Sequence, residues 1–293
     1  MGIDTLIGMT CITAAVFASI GGLLFMRRWL QTHFLKSHHD VTDPLSQVVG
    51  MMFAILIGFM VSNSMNRFQT ARSTVQQEAA SLANIFNVAG TLEEQEKRKI
   101  RKLCIRYADQ IVHEEWPLLS AKNVSVSTIR TYRTLWDTAV EYKPTTQTDS
   151  NAHQSLLGSL TKMSDARRLR IEALHNGLPV ALWYILLLGG LATIVFTYFF
   201  GAQNTRLQVV MTAMVTFVIS LNIFLLYTFD DPFEGDVMVS PTAFQTDLMM
   251  FQSQWHVNDE GEEIPQPDDI STNKEKLVPA ESNAANSKLP PQN

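Results

Sequence analysis

Ser62, Asn63, Ser64 and Asn66 follow directly on the apolar run VVGMMFAILI at 48–57, and Arg67 comes next. Hydroxyls and amides placed there carry no net charge. They can bond a neighbouring helix or stand in for part of an ion's water shell. No Gly or Pro interrupts the chain between Phe59 and Ala89, so one helix leaves the membrane and continues. At 100° per residue, Met51, Ile55, Gly58, Phe59, Ser62, Asn66, Gln69 and Ser73 share an arc of about 100°. That arc is apolar within the membrane and becomes polar, without charge, as the helix exits.

Two readings of the arc stand side by side. As a packing face, Gly58, Ser62 and Asn66 allow close approach and bonding across helices. As a pore wall, Met51, Ile55 and Phe59 from several subunits form a hydrophobic constriction that gates by dewetting. Ser62, Asn63 and Asn66 then form its inner mouth. Neutral donors without acidic side chains suit an anion better than a cation. One helix cannot enclose a pathway, so this reading requires an oligomer.

Other groups of reactive side chains are less pointed. Asp230, Asp231, Glu234 and Asp236 offer hard oxygens of the kind calcium takes. Their spacing is irregular, and the Pro232-Phe233 pair favours a structural turn. HFLKSHHD places His33, His38, His39 and Asp40 in a short loop without zinc-motif spacing. Neither a metal nor a cofactor is expected. Gln208, Thr212, Thr216 and Ser220 form an i, i+4 row suited to interhelical bonding, and Asn222 lies beside it. Arg167, Arg168 and Arg170 near a membrane end read as juxtamembrane anchors. The mixed signs of EEQEKRKIRK read as a solvated helix face. There is no nucleophile elbow, phosphate-binding Gly loop or HExxH, so an enzyme is not expected. No Asp, Glu, Lys or Arg within an apolar run marks a proton relay.

The elements that would carry these residues are helical. Four stretches approach the roughly 20 apolar residues needed to cross a bilayer: 5–26, 47–65, 179–200 and 207–229. The first lacks a basic n-region and a small-residue cleavage site, so it reads as an anchor rather than a signal. Residues 66–178 form a polar helical region. Ile100, Leu103, Cys104, Tyr107 and Ile111 line one helical face, and Ile129, Tyr132, Leu135, Trp136 and Ala139 another. A further helix from about 153 is expected to run into the third span. Residues 1–256 then form one membrane domain, and 257–293 an acidic, disordered tail.

Net charge divides along the chain. By count, residues 229–293 carry 13 Asp/Glu and 3 Lys, and residues 1–228 carry 20 Lys/Arg and 15 Asp/Glu. No dense basic patch with aromatics points to nucleic acid. Cys11 and Cys104 fall in an apolar run and a charged helix, so no disulfide is expected. With four spans, both termini and 66–178 share one side. Positive charge near the membrane ends leans toward that side being cytoplasmic, in a cell (plasma or inner) membrane.

The run ILIGFMVSNSMNRFQTARSTVQQEAASL resembles the bestrophin-like domain family and, more distantly, the pore helix of bestrophin chloride channels. The shared residues are Gly58-Phe59 and Arg67-Phe68, where bestrophins carry Arg-Trp. Further similarity lies in DARRLRIEALHNGLPVALWYILLLGG and in FDDPFEGDVMVSP, with Asp231, Pro232, Phe233 and Gly235 as a structural motif. The resemblance implies an all-α membrane protein of four transmembrane helices with a cytoplasmic helical region. It implies a pentameric homo-oligomer that conducts chloride-like inorganic anions. It places the narrow hydrophobic neck on Met51, Ile55 and Phe59. The dense acidic calcium clasp of bestrophins is thinly echoed by Asp230, Asp231, Glu234 and Asp236, so calcium gating is not expected. The alternative is a membrane-anchored helical scaffold that recruits a partner and conducts nothing.

Overall fold

The computed structural model describes residues 2–29, 39–199 and 204–254. Among them every regular element is helical. The chain runs α1 (Ile3–Trp29), α2 (His39–Ala89), α3 (Glu94–Gln110), a π-turn (Ile111–Glu115), α4 (Trp116–Leu119), α5 (Val126–Glu141), α6 (Gln147–Ala173), α7 (Val180–Tyr198), α8 (Thr205–Asp230) and α9 (Thr242–Gln254). Four of these are long and apolar enough to cross a membrane: α1, α2, α7 and α8. The His33–Asp40 loop side chains and the tail lie outside what is described.

Helix α2 is the spine. Its 51 residues give a rod of about 76 Å, more than twice the hydrocarbon thickness. One stripe of α2 is buried from Phe53 to Ala89. Phe53, Ile57 and Met60 pack with Leu186 of α7 and Ile219 and Leu226 of α8. Farther along, Phe68, Val75, Leu82, Ile85 and Phe86 enter a second core with α3, α5, α6 and α9. The same helix therefore serves both the membrane bundle and the extramembrane helical body. Its packing on α7 depends on small residues: a Cβ on Gly189 would press into the Phe53 ring.

Local signals set the ends of the shorter helices. Thr146 and Asp149 form a reciprocal capping box at the start of α6. Ser125 caps α5, and Asn204 caps α8. On α3, Glu94 pairs with Lys97 and Arg98, and Glu96 with Lys99, on the exposed face.

Three expectations are corrected. Helix α6 does not run into the third span; it stops at Ala173, and α7 begins at Val180. Pro179 has no N–H and holds Leu178 out of the helical region, and the Leu178 N–H is taken instead by the Asp230 carboxylate at 2.8 Å. On α5 the buried face is led by Thr128, Thr131, Leu135 and Ala139, while Ile129 is exposed. Hydrophobic periodicity misplaced that face because two of its inward residues are threonines. The third correction concerns Arg167 and Arg170, described below.

Candidate functional site

The arc on α2 is a face that the chain leaves uncovered. Met51, Ile55 and Phe59 are 67%, 63% and 70% exposed, although all three are large and apolar. Ser62, Asn63, Asn66, Gln69 and Ser73 continue the exposed face. The structure extends it beyond the sequence reading, through Gln77, Ala80, Asn84 and Asn87. By helical geometry these stay within the same arc of about 100°. From Ser62 to Asn87 the stripe spans about 38 Å without a charged side chain. Among the described residues, none of its amide and hydroxyl side chains bonds to another element. The exposed Arg72 points about 120° away from Asn66. Asn63 sits toward the flank, where it and Asn66 line a recess of about 720 Å³ beside Arg67. Arg67 is held off the stripe, its guanidinium 3.6 Å from the Asp230 carboxylate.

What fixes α2 in place is a buried circuit of charge in the helical body. Arg170 donates through Nε to Glu78 at 2.6 Å and through Nη2 to Glu115 at 2.6 Å. Arg167 forks onto Glu115 at 3.0 and 3.1 Å and donates to the Tyr107 hydroxyl at 2.8 Å. Tyr107 closes the circuit by donating to Glu78 at 2.6 Å. Two positive and two negative groups cancel. All five residues are buried, and they come from α2, α3, the π-turn and α6. Burial pushes the Glu115 carboxyl up, but Arg170 and Arg167 outweigh it and hold it below the ordinary carboxylate range. Arg167 and Arg170 are thus interior ion-pair residues, correcting the juxtamembrane reading; Arg168 alone of the three is exposed. Sequence proximity to the third span suggested membrane contact. Glu78 and Glu115 lie far away in sequence, and no local pattern announces the pairing.

The Asp231, Pro232, Phe233 and Gly235 segment forms a tight junction after α8. The Asp231 carboxylate accepts the Phe233 N–H at 3.1 Å and pairs with Lys122 at 3.3 Å. The Pro232 carbonyl accepts the Val239 N–H at 2.8 Å. Phe233 is buried edge-on against Trp116, whose indole N–H donates to the Val239 carbonyl. Gly235 has φ +89°, which a side chain would strain. Asp236 accepts both the N–H and the hydroxyl of Thr5, tying the start of α1 to this junction. Among the described residues, no three His, Cys, Asp or Glu side chains converge to hold a metal ion.

On α8, Gln208, Thr212 and Thr216 are buried. Arg27 of α1 donates to Gln208 at 2.9 Å, and Thr212 bonds Thr197 of α7 at 3.1 Å. The polar row therefore joins three spans.

Helix α9 carries one costly group. One carboxylate oxygen of Asp247 is buried without a partner, and burial pushes its pKa up to about 6. A raised carboxyl leaves folding unpenalised below its free-chain pKa, and stability falls as pH rises from there to about 6. Asp247→Asn is therefore expected to leave stability unchanged near pH 3, below the free-chain pKa. At pH 7.5 it should gain roughly 1 kcal/mol, after discounting for solvent screening. Thermal unfolding of both forms at the two pH values checks this; an equal difference at both would remove the titration from the account.

These features define a class: an all-α, four-span integral membrane protein whose longest helix bares an apolar and then neutral polar face. A Bestrophin-like domain model matches residues 13–244, and the chain belongs to that family. The fold is also that of crystal structures of a bacterial bestrophin homolog from Klebsiella pneumoniae. One matches at TM-score 0.61 and 14% identity, covering 82% of this chain and 97% of that one. A single-substitution variant matches at TM-score 0.61 and 13% identity, with the same coverage. No curated protein sequence matches the chain.

Proposed function

We propose that the protein forms a symmetric homo-oligomer, a pentamer by family resemblance, in which α2 lines a passive pathway for chloride-like inorganic anions. The observation that carries this reading is the uncovered, charge-free stripe on α2. Three exposed bulky residues lie at membrane depth, and a continuous run of amides and hydroxyls lies beyond them. In a closed assembly Met51, Ile55 and Phe59 form the dewetting neck, and Ser62, Asn63 and Asn66 receive the ion as it rehydrates. The assembly sits in a cell membrane with the termini and the helical body in the cytoplasm. No catalytic step belongs to this reading.

Recording from the purified oligomer in planar bilayers under a chloride gradient tests it. Discrete currents reversing near the chloride potential, with Phe59→Ala raising conductance or leak, are the expected result. Silence from a correctly inserted oligomer across voltage, pH and calcium would leave the four spans as anchors of a helical scaffold.

A further inference from the structure

Away from the stripe, α1, α7 and α8 border an open-sided recess of about 520 Å³, within the usual size of small-molecule sites. Ile7, Cys11 and Ile12 of α1, Leu187 of α7, and Ile223 and Phe224 of α8 make it an apolar shaft. Its mouth lies where α1 begins and α8 ends. There Asp4, Phe224 and Tyr227 also line a polar recess of about 300 Å³ containing Lys122, Asp231, Glu234 and Asp236. Shaft and mouth therefore adjoin. Trp183 and Tyr227 stand at this level, as aromatic residues do at a membrane–water boundary.

The charges at the mouth are unequally used. Asp236 is satisfied by Thr5, and Asp231 by Lys122 and the Phe233 N–H. Asp4 and Glu234 have no hydrogen bond or ion pair among the described residues. The mouth therefore offers two uncommitted carboxylates beside one ammonium group.

We propose that this site holds one phospholipid with a primary-ammonium headgroup, of the phosphatidylethanolamine class. Its acyl chain fills the shaft, its ammonium meets Asp4 and Glu234, and its phosphate lies toward Lys122. Selection comes from the headgroup. An acyl chain gains little by leaving other chains for an apolar wall, since lipid is as apolar as Leu. A primary ammonium donates charge-assisted hydrogen bonds to carboxylates. A choline headgroup has no N–H to donate, and a glycerol headgroup brings no cation to balance its phosphate against the acidic mouth. The site is independent of conduction.

The test uses the full-length protein reconstituted in an equimolar mixture of ethanolamine, choline and glycerol phospholipids, with retained lipid read by native mass spectrometry. Ethanolamine lipid is expected to dominate. Asp4→Asn with Glu234→Gln should lower its retention about tenfold or more, through the loss of two charge-assisted bonds. Cys11→Trp should block the shaft and lower retention of all three. Size-exclusion profiles check that both variants remain folded. Equal retention of the three lipids, a preference for the glycerol lipid, or retention indifferent to both variants would overturn the proposal. So would a second copy cross-linked across the recess with lipid absent.

Discussion

Replacing Arg170 with Met is expected to destabilise the helical body by about 3–5 kcal/mol. The guanidinium is wholly buried and bonds Glu78 and Glu115 at once. Removing it leaves two carboxylates in the interior with only Arg167 to neutralise them and the Tyr107 hydroxyl to donate to Glu78. Arg170→Lys should recover little, because an ammonium cannot reproduce two bonds in a fixed fork. The double variant Arg170→Met, Glu78→Gln should be more stable than Arg170→Met alone, since it removes the stranded charge and leaves Arg167 forked onto Glu115. Denaturant unfolding of the detergent-solubilised protein, followed by tryptophan fluorescence, measures all three. An Arg170→Met protein as stable as the parent would mean that the circuit contributes nothing net.

Phe233→Ala is expected to cost about 3–5 kcal/mol, in the range for emptying a buried aromatic site. Phe233 is 3% exposed and sits 5.9 Å from Trp116, edge to face. The cavity would open where the end of α8, the start of α1 and the helical body meet. Because Asp236 tethers Thr5 from the same segment, the loss should spread. Limited proteolysis should cut near 231–240 in the variant before any site in α3 or α6. Phe233→Leu, which refills most of the volume, should lose far less. Equal proteolytic resistance of Phe233→Ala and the parent would show that the junction does not depend on this ring.

Much of the fold was legible because membrane spans and exit helices are written in runs of composition. The four long apolar helices and the polar helices between α2 and α7 announce themselves by length and periodicity. So does the α2 arc, since a rod 51 residues long keeps its faces in register from end to end. The illegible parts share one cause: they depend on residues brought together from afar. Glu78 and Arg170 lie 92 residues apart, and nothing near either one identifies its partner. Of the inward threonines of α5, Thr131 is buried through a hydrogen bond to Gln110 at 2.7 Å rather than by apolar bulk, and Thr128 is buried with its hydroxyl unpartnered, so neither follows hydrophobic periodicity. The break before Val180 was obscured because the polar helix and the apolar span each carry a strong helical signal. Pro179 caps the span at Val180, and the contact that holds the chain there, Asp230 reaching back to Leu178, joins residues far apart in sequence.

The unbroken length of α2 has a mechanical meaning. Beyond Gly58, α2 carries neither Pro nor Gly; that stretch is a stiff bar, and stiff bars transmit tilt. The circuit around Glu78 grips α2 about 29 Å along the axis from Phe59, and Gly189 of α7 gives Phe53 a seat on the membrane side. Between grip and seat the helix acts as a lever. A small displacement of α6 or the π-turn that moves Glu78 sideways must swing Phe59 as well, with no flexible hinge to absorb it. An event sensed in the helical body therefore needs no messenger to be felt at membrane depth.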